Sequence, residues 1–317
     1  MLITRTLVED GHVVHVADGW EFAAGAVRQA GAHRVPTAYR LDDFTIGMIW
    51  AITNTDSAIL ADDSSLHSYQ QSLTRYEESS ASSATLSEVP RLNNVSRQWL
   101  GSDFCARHII RHLTELTTEP FFWSREQRGE EAAAWLLWAH KLKYLQHTSS
   151  RYGTVRRGFC VPEHEVRSSA RHEWVLLLLA VALMEACEIE VQIVSEPDLG
   201  EIEGFVLADK LIVANWLRGT AHWYVDTDAP SSRWAAYRDI AKHTAEKSVI
   251  AQPTSAGPLQ AMAVYLALPW TWLATRCREL AAVGIDGLAH PRSRLLSTEG
   301  LATALRYVAY LNQPLSS

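Results

Sequence analysis

The chain has 317 residues, 47% of them hydrophobic, with 29 basic against 36 acidic side chains and a formal net charge of -7. This length suits one large domain or two closely packed ones. The acidic balance disfavours a dedicated nucleic-acid binder, which usually has an excess of Lys and Arg. Four scattered cysteines without a CxxC pair argue against a disulfide framework or a structural zinc site.

The start of the chain has no signal-peptide pattern, because acidic residues arrive by Glu9. The longest apolar run, residues 174–184, is far short of the roughly 20 residues needed to cross a bilayer. We therefore expect a cytoplasmic protein with no membrane partner.

The first 90 residues combine short elements with breaks. Three valines at 13, 14 and 16 lie between glycines and predict a strand, and a helix is expected over residues 20–28. Asp42 and Asp43 provide N-cap chemistry for a helix over 44–53, and a second helix is predicted over 63–77. The Ser- and Ala-rich stretch 79–87 indicates a linker. We therefore divide the chain into an irregular and helical region, 1–90, and a region 91–317, packed together as one unit.

The second region is predicted to contain helices on both sides of a sheet. Helices are expected over 95–116, 124–146 and 168–187, and again over 232–247, 259–268, 270–283 and 298–311. Residues 188–194 alternate polar and apolar, and strands over 203–207, 210–217 and 221–226 follow with short turns between them. The predicted fold is α+β, predominantly helical, with a central four-stranded antiparallel meander instead of alternating βαβ units.

One predicted helix carries two histidines at metal-ligand spacing. His108 and His112 share a helix face, but Ile109 occupies the position that a Glu would need in an HExxH motif. The favoured interpretation is a solvated helix face with an Asp103–Arg107 ion pair and partly buried histidines.

The densest group of acid–base residues lies near position 170. His164, His172 and Glu173 are the candidate catalytic residues, because a loop histidine and a histidine at a helix start can converge on a substrate proton or a cation. The alternative is that the helix dipole gathers carboxylates at a helix start without any site.

The last predicted strand offers a polar face. Its residues 222, 224 and 226 share one side, which is either the solvated side of the sheet or the floor of a polar pocket. The candidate ligand-binding residues are His222, Tyr224, Asp226, Asn215, Trp216 and Arg218.

Tryptophan is unusually abundant, with twelve residues, several of which form pairs: Trp135 with Trp138, Trp216 with Trp223 and Trp270 with Trp272. Most are expected in the core, but two or three around a cavity would suit a planar or apolar ligand. No GxGxxG, GxxxxGK[ST] or GxSxG motif occurs, which disfavours nucleotide-dependent and serine-hydrolase chemistry. The sequence identifies no cofactor and assigns no metal site.

Five segments, 96–108, 121–131, 158–162, 212–218 and 291–297, resemble the C-terminal, non-DNA-binding region of actinobacterial XRE-type helix-turn-helix transcriptional regulators. The resemblance covers nearly the whole chain and assigns no functional residue. Residues 1–40 depart from the regulators, because strands, glycines and only four arginines stand where a basic helix-turn-helix is expected.

These observations lead to two functional hypotheses. The first is a ligand-sensing or protein-interaction domain of a transcription-regulator-like protein that binds a small planar or apolar metabolite. The second is an enzyme of undetermined type with a His/Glu acid–base or metal site. The expected partners are a small molecule or a protein, a second copy of the chain in a homodimer included, and direct binding to nucleic acid is disfavoured.

Overall fold

The computed structural model describes residues 2–8, 11–17, 42–74, 81–84, 92–125, 129–153, 155–217, 222–252, 256–285 and 289–311. The chain divides into two compact units, Met1–Thr45 and Ile46–Ser317. In the first unit, strands β1 (Leu2–Val8) and β2 (Gly11–Ala17) form an antiparallel hairpin in which Leu2 lies opposite Ala17. The strand predicted around the three valines is therefore confirmed, whereas the helix predicted over 20–28 lies outside the described residues.

Eleven helices lie within the described residues. They are α1 (Asp43–Ala61), α2 (Asp63–Leu73), α3 (Asn94–Leu113), α4 (Gly129–Leu137), α5 (Ala139–Arg151), α6 (Glu163–Ser168), α7 (Arg171–Ala186), α8 (Ser231–Lys247), α9 (Ala256–Tyr265), α10 (Trp270–Val283) and α11 (Glu299–Leu311), with a 3-10 helix at Pro197–Glu201. None of these helices has both the length and the apolar character that crossing a bilayer requires.

The second unit contains a seven-stranded mixed sheet. Its strands are β3 (Ala81–Ala84), β4 (Phe121–Ser124), β5 (Val155–Cys160), β6 (Ile189–Val194), β7 (Phe205–Leu207), β8 (Leu211–Leu217) and β9 (His222–Asp226). Their spatial order is β3-β9-β8-β7-β4-β5-β6. Strands β4, β5 and β6 are parallel, and the remaining pairings are antiparallel.

The α+β class is confirmed, but the four-stranded antiparallel meander is wrong. Only β7, β8 and β9 form a meander, whereas β6 lies at the far edge and pairs in parallel with β5. The helices α4 and α5 connect β4 to β5, and α6 and α7 connect β5 to β6, so the chain does contain consecutive βαβ units. The predicted helix over 124–146 is also wrong in part, because β4 occupies its start and Trp138 interrupts it.

Helices cover both faces of the sheet. Phe121, Trp123, Phe205 and Val213 point to one face, where they pack with Tyr237 of α8 in a hydrophobic core. The registers Phe122 with Arg157 and Phe122 with Val206 place these three residues on the opposite face. That second face is covered by α3, α4 and α5.

The most deeply buried element is α7. Every side chain from Trp174 to Met184 is buried, and the helix contacts α4, α11 and β6. A helix that is apolar on all sides must be surrounded by other elements, which explains the long apolar run in the sequence. It gives the sheet a rigid support behind β5 and β6.

Candidate ligand-binding cavity

A cavity of about 200 Å³ lies between the sheet and helices α3, α4 and α5. Helix α3 contributes Gln98 and Ser102, α4 and α5 contribute Trp135 and Lys141, and the sheet contributes Arg157. The cavity is smaller than the roughly 300–1,000 Å³ of pockets for drug-sized ligands. Its volume therefore limits an occupant to a small metabolite.

Arg157, in the middle of β5, is the main charged group of the cavity. The residue is 2% exposed, and Nη1 donates a hydrogen bond to Ser124 Oγ at 3.0 Å. Its Nε and Nη2 atoms are buried and have no hydrogen-bond partner within the part of the chain that the structure describes. A guanidinium presents a fork of donors that matches a carboxylate or phosphate. Two nitrogens of this fork therefore have free donor capacity inside the protein.

Three aromatic rings surround the guanidinium. Its Cζ lies 4.7 Å from the ring centroid of Phe122, 5.0 Å from that of Trp135 and 5.4 Å from that of Tyr144. Rings attract a cation through their quadrupole, by about 0.5–2 kcal/mol per pair. They hold Arg157 in the apolar interior, where the Tyr144 hydroxyl also forms a hydrogen bond with the guanidinium.

Lys141 adds a second cation to the cavity wall. Its Nζ lies 3.8 Å from the centroid of the Trp135 ring, which Arg157 also contacts. Burial, and then repulsion from Arg157, lower the pKa of Lys141 to about 7, against opposing effects of Cys105 and Glu131. The amine is therefore partly neutral near neutral pH. The cavity concentrates positive charge in a protein whose net charge is -7.

The neighbouring His140 is neutral. Burial, followed by Lys141 and Arg107, lowers its pKa well below the ordinary value. Its Nε2 lies 2.9 Å from Ser102 Oγ, and its ring packs edge-on against Trp99. A neutral histidine leaves Lys141 and Arg157 as the positive groups of the inner cavity.

An interruption between α4 and α5 positions these side chains. Trp138 adopts an extended conformation and forms an isolated β-bridge with Leu296. Ala139 N donates to Leu295 O at 3.1 Å, and Ser297 N donates to Leu137 O at 2.8 Å. The segment 291–297 thus separates the two helices, and Trp138 becomes part of the cavity wall.

The thiol in the cavity has a raised pKa. Cys105 of α3 lines the cavity, but burial raises its pKa to about 12, although Lys141 opposes the shift. Because the thiolate is the nucleophilic form, Cys105 acts as a small apolar wall residue.

A second, more open groove of about 450 Å³ lies at the other face of the sheet. Its centre is Glu203, which accepts hydrogen bonds from Tyr224 and Tyr237 and pairs with Arg233. Arg125, which also borders the first cavity, pairs with Glu201. The charges of this groove satisfy one another, so it shows less need for a ligand than the cavity around Arg157.

The predicted catalytic residues do not line either space. His164 is exposed and lies 3.6 Å from Glu165. His172 is half-buried at the start of α7, where its ring packs against Trp50 at 5.5 Å, and Glu173 follows it. None of the three residues contributes to the wall of the cavity around Arg157 or of the groove around Glu203.

The predicted ligand-binding residues are placed only in part. In the register of β8 and β9, Asn215 lies opposite Tyr224 and Trp216 opposite Trp223. The Tyr224 hydroxyl joins the Glu203 cluster, and Asp226 accepts from the backbone of Asp228 at 2.9 Å. Arg218 lies outside the described residues, as do the side chains of Asn215, Trp216 and His222. The proposed role of this strand face stays a prediction.

The helix with two histidines contains the predicted Asp103–Arg107 ion pair, but the prediction of a solvated face is wrong, because Asp103, His108 and His112 are all buried. Arg107 pairs with buried Asp103, which also accepts from Gln70 Nε2 at 3.0 Å. His108 is fully buried beside the backbone of Phe104, and His112 faces Glu115 at 3.4 Å. Within the described ranges, no group of three or more His, Cys, Asp or Glu side chains could hold a metal ion.

Sequence reasoning missed Arg157 and Lys141, the two central charges of the cavity. The period of a strand was a usable signal for Arg157. Val155, Arg157 and Phe159 occupy alternate positions and are buried, whereas Arg156 is exposed, so Arg157 points inward with the apolar residues. Of the three tryptophan pairs, Trp135 and Trp138 line the cavity, together with Trp123.

Comparison with known proteins adds no assignment. The chain matches no protein-family model, no curated protein and no solved structure. The functional conclusion therefore depends on the geometry of the cavity.

Proposed function

We propose that this protein is a ligand-sensing domain of the transcription-regulator type and binds a small carboxylate or phosphate with an apolar body. The observation that carries the proposal is Arg157, a buried guanidinium in a cavity wall with two nitrogens that lack partners among the described residues. Buried charges are normally paired. A bound anion would supply the missing acceptors, and the aromatic walls would contact the rest of the molecule.

The segments that resemble the regulators support this proposal. Segment 96–108 contributes Gln98, Gly101 and Ser102 to the cavity, segment 121–131 contributes residues 122–125 and Glu131, and segment 212–218 contributes Ala214. Segment 291–297 forms the bridge that interrupts the helix at Trp138. The resemblance thus involves several parts of the cavity wall, as expected for a shared sensing site.

The test is calorimetric titration with paired ligands. Benzoate, indole-3-acetate and phenyl phosphate carry the anion, and their neutral amides or alcohols do not. We expect the acids to bind and the neutral partners to bind at least tenfold more weakly, because a charge-assisted hydrogen bond contributes about 1.5–3 kcal/mol. Arg157→Met should abolish this preference for anions.

The matched control is Arg156→Met, which removes the exposed arginine directly before Arg157 in the same strand. This variant should keep the affinity of the unmodified protein. Equal binding of acids and neutral analogues, or equal effects of the two substitutions, would contradict the proposal.

A further inference from the structure

We propose that Lys141 captures a 2-oxo carboxylate as an imine while Arg157 binds the carboxylate of the same molecule. The inference rests on the proposed function, because it places the ligand in the same cavity. It narrows the ligand to compounds with a carbonyl group next to the acid.

The positions of the two cations suit this ligand class. Lys141 Nζ and Arg157 Cζ lie 3.8 and 5.0 Å from the centroid of one ring, Trp135, and both residues line the cavity. In a 2-oxo carboxylate, a single carbon–carbon bond separates the carbonyl carbon from the carboxylate. We place one such molecule against both the guanidinium and the amine, because both side chains line the same cavity.

The surroundings of Lys141 favour nucleophilic attack. An amine attacks a carbonyl only in its neutral form, and desolvation beside another cation is a known way to produce it. The charged and titratable neighbours of Lys141 are Arg157 on β5, Cys105 on α3, Glu131 on α4 and His140 on α5. Burial and Arg157 dominate, so a substantial neutral fraction exists near neutral pH.

The reaction needs no oxidant or reductant. The Nζ lone pair forms a C–N bond with the carbonyl carbon, and the C=O electron pair moves to oxygen, which takes up a proton. The resulting carbinolamine loses its hydroxyl group with a proton as water and leaves a protonated imine. Tyr144 lies three residues after Lys141 on α5, on the same helix face, and also lines the cavity. Burial raises the pKa of its phenol, against the effect of Arg157, so Tyr144 is available as the proton donor to the departing hydroxyl.

The experiment is reductive trapping of the full chain. The protein is incubated with phenylpyruvate and sodium cyanoborohydride, followed by intact-mass measurement and peptide mapping. We expect a single adduct on Lys141, formed up to about tenfold faster at pH 8 than at pH 6, because the neutral fraction of the amine grows across its pKa. Lys141→Arg should give no adduct, and Lys143→Arg, at an exposed position of the same helix, should label like the unmodified protein.

Phenyllactate, the 2-hydroxy analogue, separates the two proposals. Binding of phenyllactate without any adduct from phenylpyruvate would overturn the imine and leave the anion site intact. Failure of both compounds to bind would overturn both proposals. Labelling spread over surface lysines would also overturn the role of Lys141, and peptide mapping of the unmodified protein decides this even if Lys141→Arg fails to fold.

Discussion

At the scale of single residues, Arg157 has opposite effects on stability and on binding. Its charge is buried with hydrogen bonds to Ser124 and Tyr144, and two of its nitrogens lack partners among the residues that the structure describes. Replacing buried charges by apolar side chains of similar volume is often neutral or stabilising. We therefore expect Arg157→Met to leave the free energy of unfolding unchanged or to raise it by up to about 3 kcal/mol, although it abolishes anion binding.

Chemical denaturation without ligand measures this effect. The control Arg156→Met should change the free energy of unfolding by less than about 0.5 kcal/mol, as substitutions at exposed positions usually do. A large loss of stability in Arg157→Met would mean that the guanidinium holds the core together. That result would contradict the proposal that Arg157 serves to bind an anion.

Close packing explains why residue 101 is a glycine. A Cβ at this position of α3 would lie 1.9 Å from Nε1 of Trp223, which is fully buried and cannot move aside. Gly101→Ala gains about 1 kcal/mol of helix propensity but overpacks the core, which typically costs about 1–3 kcal/mol or more. We expect a net loss of stability in urea denaturation.

The matched control for this substitution is Gly153→Ala, because no atom lies within 4 Å of the added Cβ there. Its effect should stay within about 0.5 kcal/mol. A Gly101→Ala variant as stable as the original protein would show that α3 can shift away from the sheet, and the shape of the cavity wall would then be adjustable.

At the scale of secondary-structure elements, local patterns predicted β8 and β9 well. The alternation of buried Trp223 and Val225 with partly exposed neighbours is the period of a strand that is covered on one face. Short turns join β7, β8 and β9, so strands that are consecutive in sequence are also adjacent in the sheet. Such pairings can be read from a sequence because the turn fixes them.

The position of β6 could not be read in this way. Its own pattern was recognised, but its partner is β5, which precedes it across two helices. Parallel pairing is decided by how the intervening helices pack, and no turn residue reports it. Strand β4 has only four residues, directly before the predicted helix over 124–146, and its Phe-Phe-Trp-Ser sequence is too short to show an alternating pattern.

Strand β5 escaped recognition because of a buried arginine. The residue at its centre that points into the interior is Arg157, which makes the strand look polar. Local rules fail most often at functional sites, because the site needs a side chain that the fold alone would not favour. The cavity also draws its walls from α3, α4, α5 and four strands, so no single segment contains its pattern.

At the scale of the whole molecule, the charge inside the cavity is coupled to folding. The folded-state pKa of Lys141, about 7, lies below the 10.5 of the unfolded chain, first through burial and then through Arg157. Between these values the unfolded chain binds more protons than the folded protein, so the free energy of unfolding rises with pH. Below pH 7 both states carry the proton, and the full penalty for burying the charge is present.

Other groups act on the same stability curve. The excess of acidic residues adds self-repulsion as pH rises. Burial raises the pKa of Glu185 to about 7. Between pH 4.5 and 7 the folded protein binds more protons at this residue than the unfolded chain does. The free energy of unfolding therefore falls as pH rises through this range. The window from pH 7 to 9 is therefore where Lys141 can be isolated, by comparison with a variant that differs only at this residue.

The comparison uses Lys141→Met, with Lys143→Met as the control at an exposed position of the same helix. Denaturation at pH 7, 8 and 9 gives the slope of the free energy of unfolding against pH. We expect this slope to be steeper in the unmodified protein than in Lys141→Met by up to about 1.4 kcal/mol per pH unit, the value for one proton. Lys143→Met should keep the original slope.

A saturating anionic ligand should reduce the dependence of the free energy of unfolding on pH, because it stabilises the protonated amine and raises its pKa towards the unfolded value. Identical slopes in all three proteins would mean that Lys141 is solvated, and the cavity would then lack the desolvated amine on which imine capture depends.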